Sequence, residues 1–324
     1  MSFLARRFGL FLLTLWAALT INFLIPRLMP GDEATAVLAR FKNVSPAALH
    51  ALQIEFGVGT NQPILDQYVQ YLGNCLTGQF GLTASRAPVA DVVIQGLPWT
   101  LGLVGITTVI AFVLGTAIGT ISAWRRGGKL DSLLSPILFI LTTFPIFFVA
   151  LLLLFLFGVA VHWFPLSGSY TLGSPPSLTI ASILDILKHA ILPGATLVIT
   201  TAGGWIFSMR NNMVSTLAED YVRMARAKGL PSWRIMFDYA ARNAILPNLT
   251  GFAMSLGFVV AGAILVEYVF NYPGVGYMFL NSVTNEDYAL MQGLFLLIVV
   301  AVLTAILAAD VATAFLDPRT RDVR

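Results

Sequence analysis

The chain falls into long apolar blocks separated by polar connections. A bilayer core about 30 Å thick needs roughly 20 apolar residues in a helix. Six blocks qualify: residues 8–26, 98–124, 133–160, 191–209, 248–270 and 288–316. The fourth is the most dilute, because Thr196, Thr200, Thr201, Gly203 and Gly204 interrupt it. Such residues suit a membrane helix that packs closely or lines a polar path, so it counts as a span. The first block follows Arg6 and Arg7, and Ala34-Thr35-Ala36 resembles a signal cleavage site. Its apolar run is longer than a signal core of 7–15 residues, so it reads as a retained anchor.

Basic residues set the orientation. The connections 1–9, 125–132, 210–247 and 317–324 carry 14 Lys and Arg in 63 positions, against 5 in 118 positions for 27–97, 161–190 and 271–287. The first set is therefore expected in the cytoplasm together with both termini, which agrees with an even number of spans. Composition fits this reading. Of the 324 residues 57% are hydrophobic and 11% charged, with a net charge of only +3, whereas a soluble domain is about 25% charged. Those figures exclude a soluble globular protein, a disordered chain and a nucleic-acid-binding domain. The single cysteine, Cys75, forms no internal disulfide.

Two connections are too long to be turns. In the external one, Ser45-Pro46 opens a helix over 47–56 that Gly57 closes. A second amphipathic piece over 63–76 brings Ile64, Tyr68, Tyr71 and Leu72 together at helical spacing. The chain thus divides into a first transmembrane helix at 1–28, an external helical cap region at 29–97 and a five-helix core at 98–324. That core carries a long internal loop at about 210–247.

In this loop Glu219 and Asp220 begin a short helix and Arg226 and Lys228 end it, which matches the helix dipole at both ends. Gly229 stops the helix. Tyr221, Met224 and Ala225 share a face at i, i+3 and i+4, and the small Ala225 permits close approach by a partner. A second helix runs from about Pro231 toward Pro247 and into the fifth block. Positive-inside bias alone could account for the basic residues, but not for the Gly229-Leu230-Pro231 break. The loop reads as an element built for docking.

Residues 220–230 and 242–247 resemble the coupling loop of ABC-importer permeases of the peptide-type (dipeptide, oligopeptide, nickel) branch. That pattern reads Asp-Tyr-x-Arg-x-Ala-Arg-Ala-Lys-Gly-Leu and ends Arg-Asn-Ala-x-x-Pro. Arg223 and Met224 stand where the general importer loop has Glu and Ala, as they do in this branch. Further matches are Leu4-Ala5-Arg6-Arg7, Pro30-Gly31-Asp32, Asn61-Gln62-Pro63-Ile64, Gln67-Tyr68 and Gly78-Gln79-Phe80-Gly81. Glu267, Phe270, Pro273-Gly274-Val275-Gly276 and Leu316-Asp317-Pro318-Arg319 continue the series along the whole chain.

The resemblance implies an all-α polytopic membrane protein with six transmembrane helices and an importer-type permease fold. It implies a second homologous permease, two cytoplasmic ATPase subunits and an extracytoplasmic solute-binding protein as partners. Glu219, Asp220, Tyr221, Arg223, Ala225, Arg226, Lys228, Gly229 and Leu230 would then form the ATPase-coupling element. No catalytic, cofactor-binding or metal-binding residue is expected here, and ATP and Mg²⁺ would sit in the partner ATPases. The residues agree: Gly127-Gly128-Lys129-Leu130 lacks the upstream glycine and the Ser/Thr of a P-loop. The solute would be di- or oligopeptides, with oligosaccharides or nickel complexes as alternatives.

Other classes fit less well. His50, His162 and His189 are scattered, no Gly-x-Ser-x-Gly elbow occurs and Cys75 stands alone, which argues against a membrane enzyme. A self-contained ion-coupled carrier would show inverted repeats and broken helices with buried charge. Within the spans, Glu267 reads as an anchor to the 273–276 turn and Asp310 as an acid facing helix partners or the cytoplasmic interface. Gly115-x-x-x-Gly119 reads as a close-packing motif, and Pro145 as a kink.

Overall fold

The computed structural model describes residues 3–28, 63–261 and 263–316. The expected helix over 47–56, the Pro30-Gly31-Asp32 match and Arg319 lie outside them. The described residues form helices, plus one isolated bridge between Leu82 and Pro88. In order, α1 is Phe3–Leu28 and α2 Ile64–Thr77. Next come α3 at Val89–Trp124, α4 at Lys129–Thr143 and α5 at Ile146–Ala160. Helix α6 is Ile180–Leu217 and α7 is Asp220–Ala227. Helix α8 covers 232–244 through a π-helical stretch at Ile235–Ala241, and α9 is Leu246–Phe258. The last three are α10 at Ile264–Val269, α11 at Val275–Thr284 and α12 at Tyr288–Leu316.

Among the described residues four helices are long and apolar enough to cross a membrane: Arg6–Leu28, Val89–Trp124, Ile180–Leu217 and Tyr288–Ala308. The other two expected spans are divided. Pro145 (φ −56°, ψ 137°) begins α5 rather than bending one continuous helix. A residue before proline is pushed out of the α region, so α4 ends at Thr143 and Phe144 joins the two pieces. The fifth block is α9, a 3₁₀ turn at Val259–Ala261, and then α10. Helices α3 and α6 also outrun their sequence bounds. Pro98 lies inside α3 rather than at its start, followed by a π-helical turn at Leu101–Gly105. Helix α6, at 38 residues, is about 57 Å long and exceeds the bilayer core.

The chain separates into two compact units. In the first, Phe23 on α1 packs edge-on to Tyr68 (5.1 Å) and against Tyr71 (5.5 Å) of α2. Thr20 shares a hydrogen bond with Tyr68 (2.7 Å), and Asn22 Nδ2 donates to the Tyr71 hydroxyl (2.9 Å) and to the Gln292 carbonyl (3.0 Å). Gln292 returns a bond to the Asn22 carbonyl (3.1 Å). Arg27 lies over the Phe23 ring and donates to Gln67 (2.9 Å). Tyr68, Tyr71 and Leu72 therefore do turn inward from α2, but Ile64 stays 68% exposed in its first turn. Elsewhere in this unit, Asp287 accepts from the Leu290 N–H (3.1 Å), capping α12, and from the Ala84 N–H (2.9 Å).

The second unit holds the rest of α3 with α4–α10. Its centre is the crossing of α3 and α6, and the two motif glycines set how close they come. A Cβ on Gly115 would lie 2.5 Å from Trp205 Cβ and 3.0 Å from the Ala202 carbonyl, and one on Gly119 2.6 Å from the Ile206 carbonyl. At these positions backbone meets backbone, which is what a small-xxx-small motif provides. The threonines that dilute α6 return their hydroxyls to its own carbonyls: Thr196 to Leu192, Thr200 to Thr196 and Thr201 to Leu197. This spares their desolvation cost inside an apolar helix. Glu267 on α10 is wholly buried.

Candidate functional site: the α6–α9 loop and its support

Helix α7 follows α6 after a two-residue turn at Ala218 and Glu219. Glu219 is its N-cap in extended conformation, without a side-chain cap bond, and Asp220 sits in its first turn. The C-terminus is closed by a Schellman motif. Gly229 adopts φ +73°, its N–H donates to the Arg226 carbonyl (3.0 Å), and the Leu230 N–H donates to the Ala225 carbonyl (3.3 Å). Glycine is needed there because an L side chain is strained at that φ. The sequence placed this stop correctly.

The faces divide differently from the sequence reading, which set Tyr221, Met224 and Ala225 together. Val222 and Ala225 are buried with Ile235 of α8, and Trp124, Leu217 and Leu230 pack around them. Tyr221 and Met224 stay exposed. The inward direction of the helix passes between Val222 and Ala225, so Ala225 seats α7 on its own chain, while Tyr221 and Met224 face outward. The Tyr221 hydroxyl accepts from Asn243 Nδ2 (3.1 Å), which ties α7 to α8. The exposed face carries the charges. Asp220 is 96% exposed and Arg223 68%, and they pair loosely at 3.5 Å. Arg226 leans toward the Trp124 ring at 5.8 Å, and Lys228 caps the helix. The result is a short, double-anchored helix with a charged outer surface.

Beneath it lies a buried ion pair that the sequence reading missed. Asp131 Oδ1 accepts from Arg210 Nε (2.6 Å) and Ser122 Oγ (2.9 Å), while Oδ2 accepts from Arg210 Nη2 (3.0 Å) and the Gly127 N–H (3.1 Å). Arg210 opposite, then the Gly127 and Ser122 donors, hold this carboxyl well below the usual carboxylate range, against the opposing effect of burial. The cluster links the end of α3, the following turn, α4 and the last third of α6. An acid and a base 79 residues apart leave no local sequence signal. The available hint was an Asp two residues before the third block.

A second polar cluster occupies the same unit. Ser208 Oγ on α6 donates to Asn248 Oδ1 on α9 (2.5 Å), which also accepts from Asn212 Nδ2 (3.3 Å). Ser208 lines a groove of about 420 Å³ together with Thr108, Thr201, Gly204, Trp205 and Ser255. Near α10, burial first and the Glu267 charge second push the Tyr272 hydroxyl up to about 12.

Among the described residues the regular structure is helical, four helices are long and apolar enough to cross a membrane, and a short charged helix is presented at the surface, which is the architecture of a multi-pass membrane protein. Residues 115–322 match the family described as the binding-protein-dependent transport system inner membrane component. The chain is 33% identical over 301 residues (92% of both chains) to an oligopeptide transport system permease protein, AppB, of Bacillus subtilis. It is 32% identical over 342 residues (100% of both) to a di/tripeptide transport system permease protein, DppB, of Pseudomonas aeruginosa. It is also 32% identical over 309 residues (95% of both) to a glutathione transport system permease protein, GsiC, of Escherichia coli. The chain belongs to this family, as a multi-pass inner-membrane permease of the peptide-type ABC-importer branch. Of the marks expected of an ion-coupled carrier (inverted repeats, broken helices and buried charge), divided helices and the buried Glu267 occur among the described residues. The family match, covering most of the chain, decides between the two classes.

Proposed function

We propose that this chain forms the translocation pathway of an ATP-driven peptide importer together with a second homologous permease. Six spans are retained, with the divided third and fifth blocks each crossing once, and both termini lie in the cytoplasm. Two cytoplasmic ATPases bind the loop helix α7, and an extracytoplasmic binding protein delivers the solute. ATP-driven closure of the ATPases moves α7, the spans tilt, and the pathway opens outward; hydrolysis resets it. Hydrolysis belongs to the partners, and this chain is not catalytic.

The observation that carries the reading is the construction of α7. Its apolar face is fixed on Trp124, Leu217 and Ile235 while Glu219, Asp220, Arg223, Arg226 and Lys228 are left outward. A helix held so firmly cannot absorb a push and must pass it to α6 and α8. Ala225, Gly229 and Leu230 serve by seating and ending the helix, and Tyr221 by fixing its tilt. Di- and oligopeptides are the favoured solutes because three relatives with high coverage are named for oligopeptide, di/tripeptide and glutathione transport.

Purification of the tagged chain in mild detergent, followed by mass spectrometry of its companions, tests the reading. A second permease and a Walker-motif ATPase are expected. A stable chain recovered without an ATPase would refute it.

A further inference from the structure

From the donors and acceptors around the α6 groove, we infer a hydroxyl-lined solute subsite within the pathway, formed by Thr108, Thr201, Ser208 and Ser255, that accepts hydrogen bonds from peptide N–H groups. The inference rests on the importer reading above. Its floor is rigid. Trp205 meets Phe112 edge-on (5.3 Å), Phe112 stacks on Phe252 (4.2 Å), and the Trp205 ring would lie 3.4 Å from a Cβ on Gly251. Gly204 faces open space, with nothing within 4 Å of an added Cβ, in contrast to Gly115 and Gly119.

The direction of the wall hydrogen bonds identifies the ligand chemistry. Thr108 Oγ1 donates to the Val104 carbonyl (2.6 Å), Thr201 Oγ1 to Leu197 (2.7 Å) and Ser255 Oγ to Phe252 (2.8 Å). Ser208 Oγ donates to Asn248 (2.5 Å). All four protons are therefore committed to the chain itself, and what the hydroxyls turn outward is acceptor lone pairs. The exposed lining is otherwise mainly apolar, so these few acceptor sites suit the amide N–H groups of an uncharged peptide stretch and offer little to a carboxylate or phosphate. Among the described residues no ionisable side chain lines the groove.

A second observation points to an absent partner. Asn248 is 1% exposed, and its Nδ2 has no hydrogen-bond partner among the described residues although its Oδ1 is used twice. A buried amide donor left open costs on the order of 1–3 kcal/mol, so such groups usually have a partner. Asn248 stands behind the groove wall, bonded to it through Ser208, and an ordered water there would satisfy its amide. Lipid tails could satisfy neither the wall nor this amide.

The test uses the intact complex in membranes. In a Cys75→Ser background, Thr201→Cys, Ser208→Cys and Ser255→Cys are near-isosteric and are exposed one at a time to a water-soluble cationic methanethiosulfonate. Labelling is expected at all three and not at Val113→Cys, an outward apolar position on the neighbouring helix. Failure to label any of the three, while Lys228→Cys labels, would overturn the subsite by leaving that face to lipid or to a sealed subunit contact. Trialanine uptake by Thr108→Val/Thr201→Val is expected to fall at least about fivefold from the loss of two acceptors. Wild-type uptake would overturn the hydrogen-bonding role. Loss of the ATPase from the complex bears on the importer reading alone, because the labelling pattern is read without it.

Discussion

Replacing Asp131 by asparagine keeps the size of the side chain but removes its charge and half of its acceptor capacity. In the native cluster Oδ1 takes bonds from Arg210 Nε and Ser122, and Oδ2 from Arg210 Nη2 and the Gly127 N–H. The amide can keep the first two at neutral strength. It places an N–H where the other two donors already point, so both are lost. Breaking a fully buried ion pair costs about 3–5 kcal/mol, but the Arg210 side chain is 23% exposed and can turn partly to water. The expected cost is therefore about 2–3 kcal/mol, equivalent to one or two charged hydrogen bonds. That corresponds to a fall of roughly 3–4 °C in the melting temperature of the chain, taken as one cooperative unit. The asparagine variant combined with Arg210→Gln should lose little more than either single change, because the two residues act as one unit. A pH series adds a sign test. The folded-state pKa of Asp131 is depressed, so its stabilisation is complete above the unfolded value near 3.9 and is lost only as pH falls through the folded value. Between pH 5 and 8 the deficit should stay constant. A deficit below about 0.5 kcal/mol, the range of ordinary surface changes, or one that varies across that window, would refute the reasoning.

Gly119→Leu should separate α3 from α6, since even a Cβ meets the Ile206 carbonyl at 2.6 Å. A loss of at least about 1–3 kcal/mol should appear as reduced chain in membranes, while Gly204→Ala, facing open space, should express normally. Gly229→Trp should insert into the membrane but hydrolyse ATP without transport, since its bulk lies on the proposed ATPase-facing end of α7; normal uptake would sink the docking assignment. Asn22→Leu should loosen α1 from α2 and from α12 by deleting the bonds to Tyr71 and Gln292, read as faster proteolysis around residues 64–77. Asp220→Asn, almost fully exposed, should leave the stability within about 0.5 kcal/mol of wild type, read by thermal melting.

What the sequence could show depended on whether the signal was local. The Gly229 stop, the α2 face with Tyr68 and Tyr71, and the small-residue contact at Gly115 and Gly119 all follow from spacing within a few turns of one helix. The breaks at Phe144–Pro145 and after Phe258 were less legible, because hydropathy sums over a window and does not register where backbone hydrogen bonding stops. Pro145 was visible, but a kink and a restart have the same sequence. The inward turn of Ala225 was misjudged for a related reason. A small residue on an amphipathic helix permits close approach from either side, and only the position of Ile235, ten residues on, decides which. Asp131–Arg210 and Ser208–Asn248 join residues far apart in the chain, and no single-sequence periodicity reports such pairs.

These long-range pairs bear on how force would travel from α7. Val222 and Ala225 rest on Trp124 at the end of α3 and on Leu217 at the end of α6. Two residues back along α3 and about two turns back along α6, Ser122 and Arg210 converge on Asp131. The seat of α7 and the ion-pair cluster thus grip the same two helix ends at successive levels. Met209 and Met213 pack with Ala123, Ala240 and Ala244 in the interval. An interior packed this closely shifts between discrete arrangements more readily than it stretches. Displacement of α7 should therefore move the ends of α3 and α6 together rather than bend either alone. It follows that loosening the Asp131 cluster should weaken transport more than it weakens ATPase binding, because the docking face of α7 would be intact while its support had become compliant.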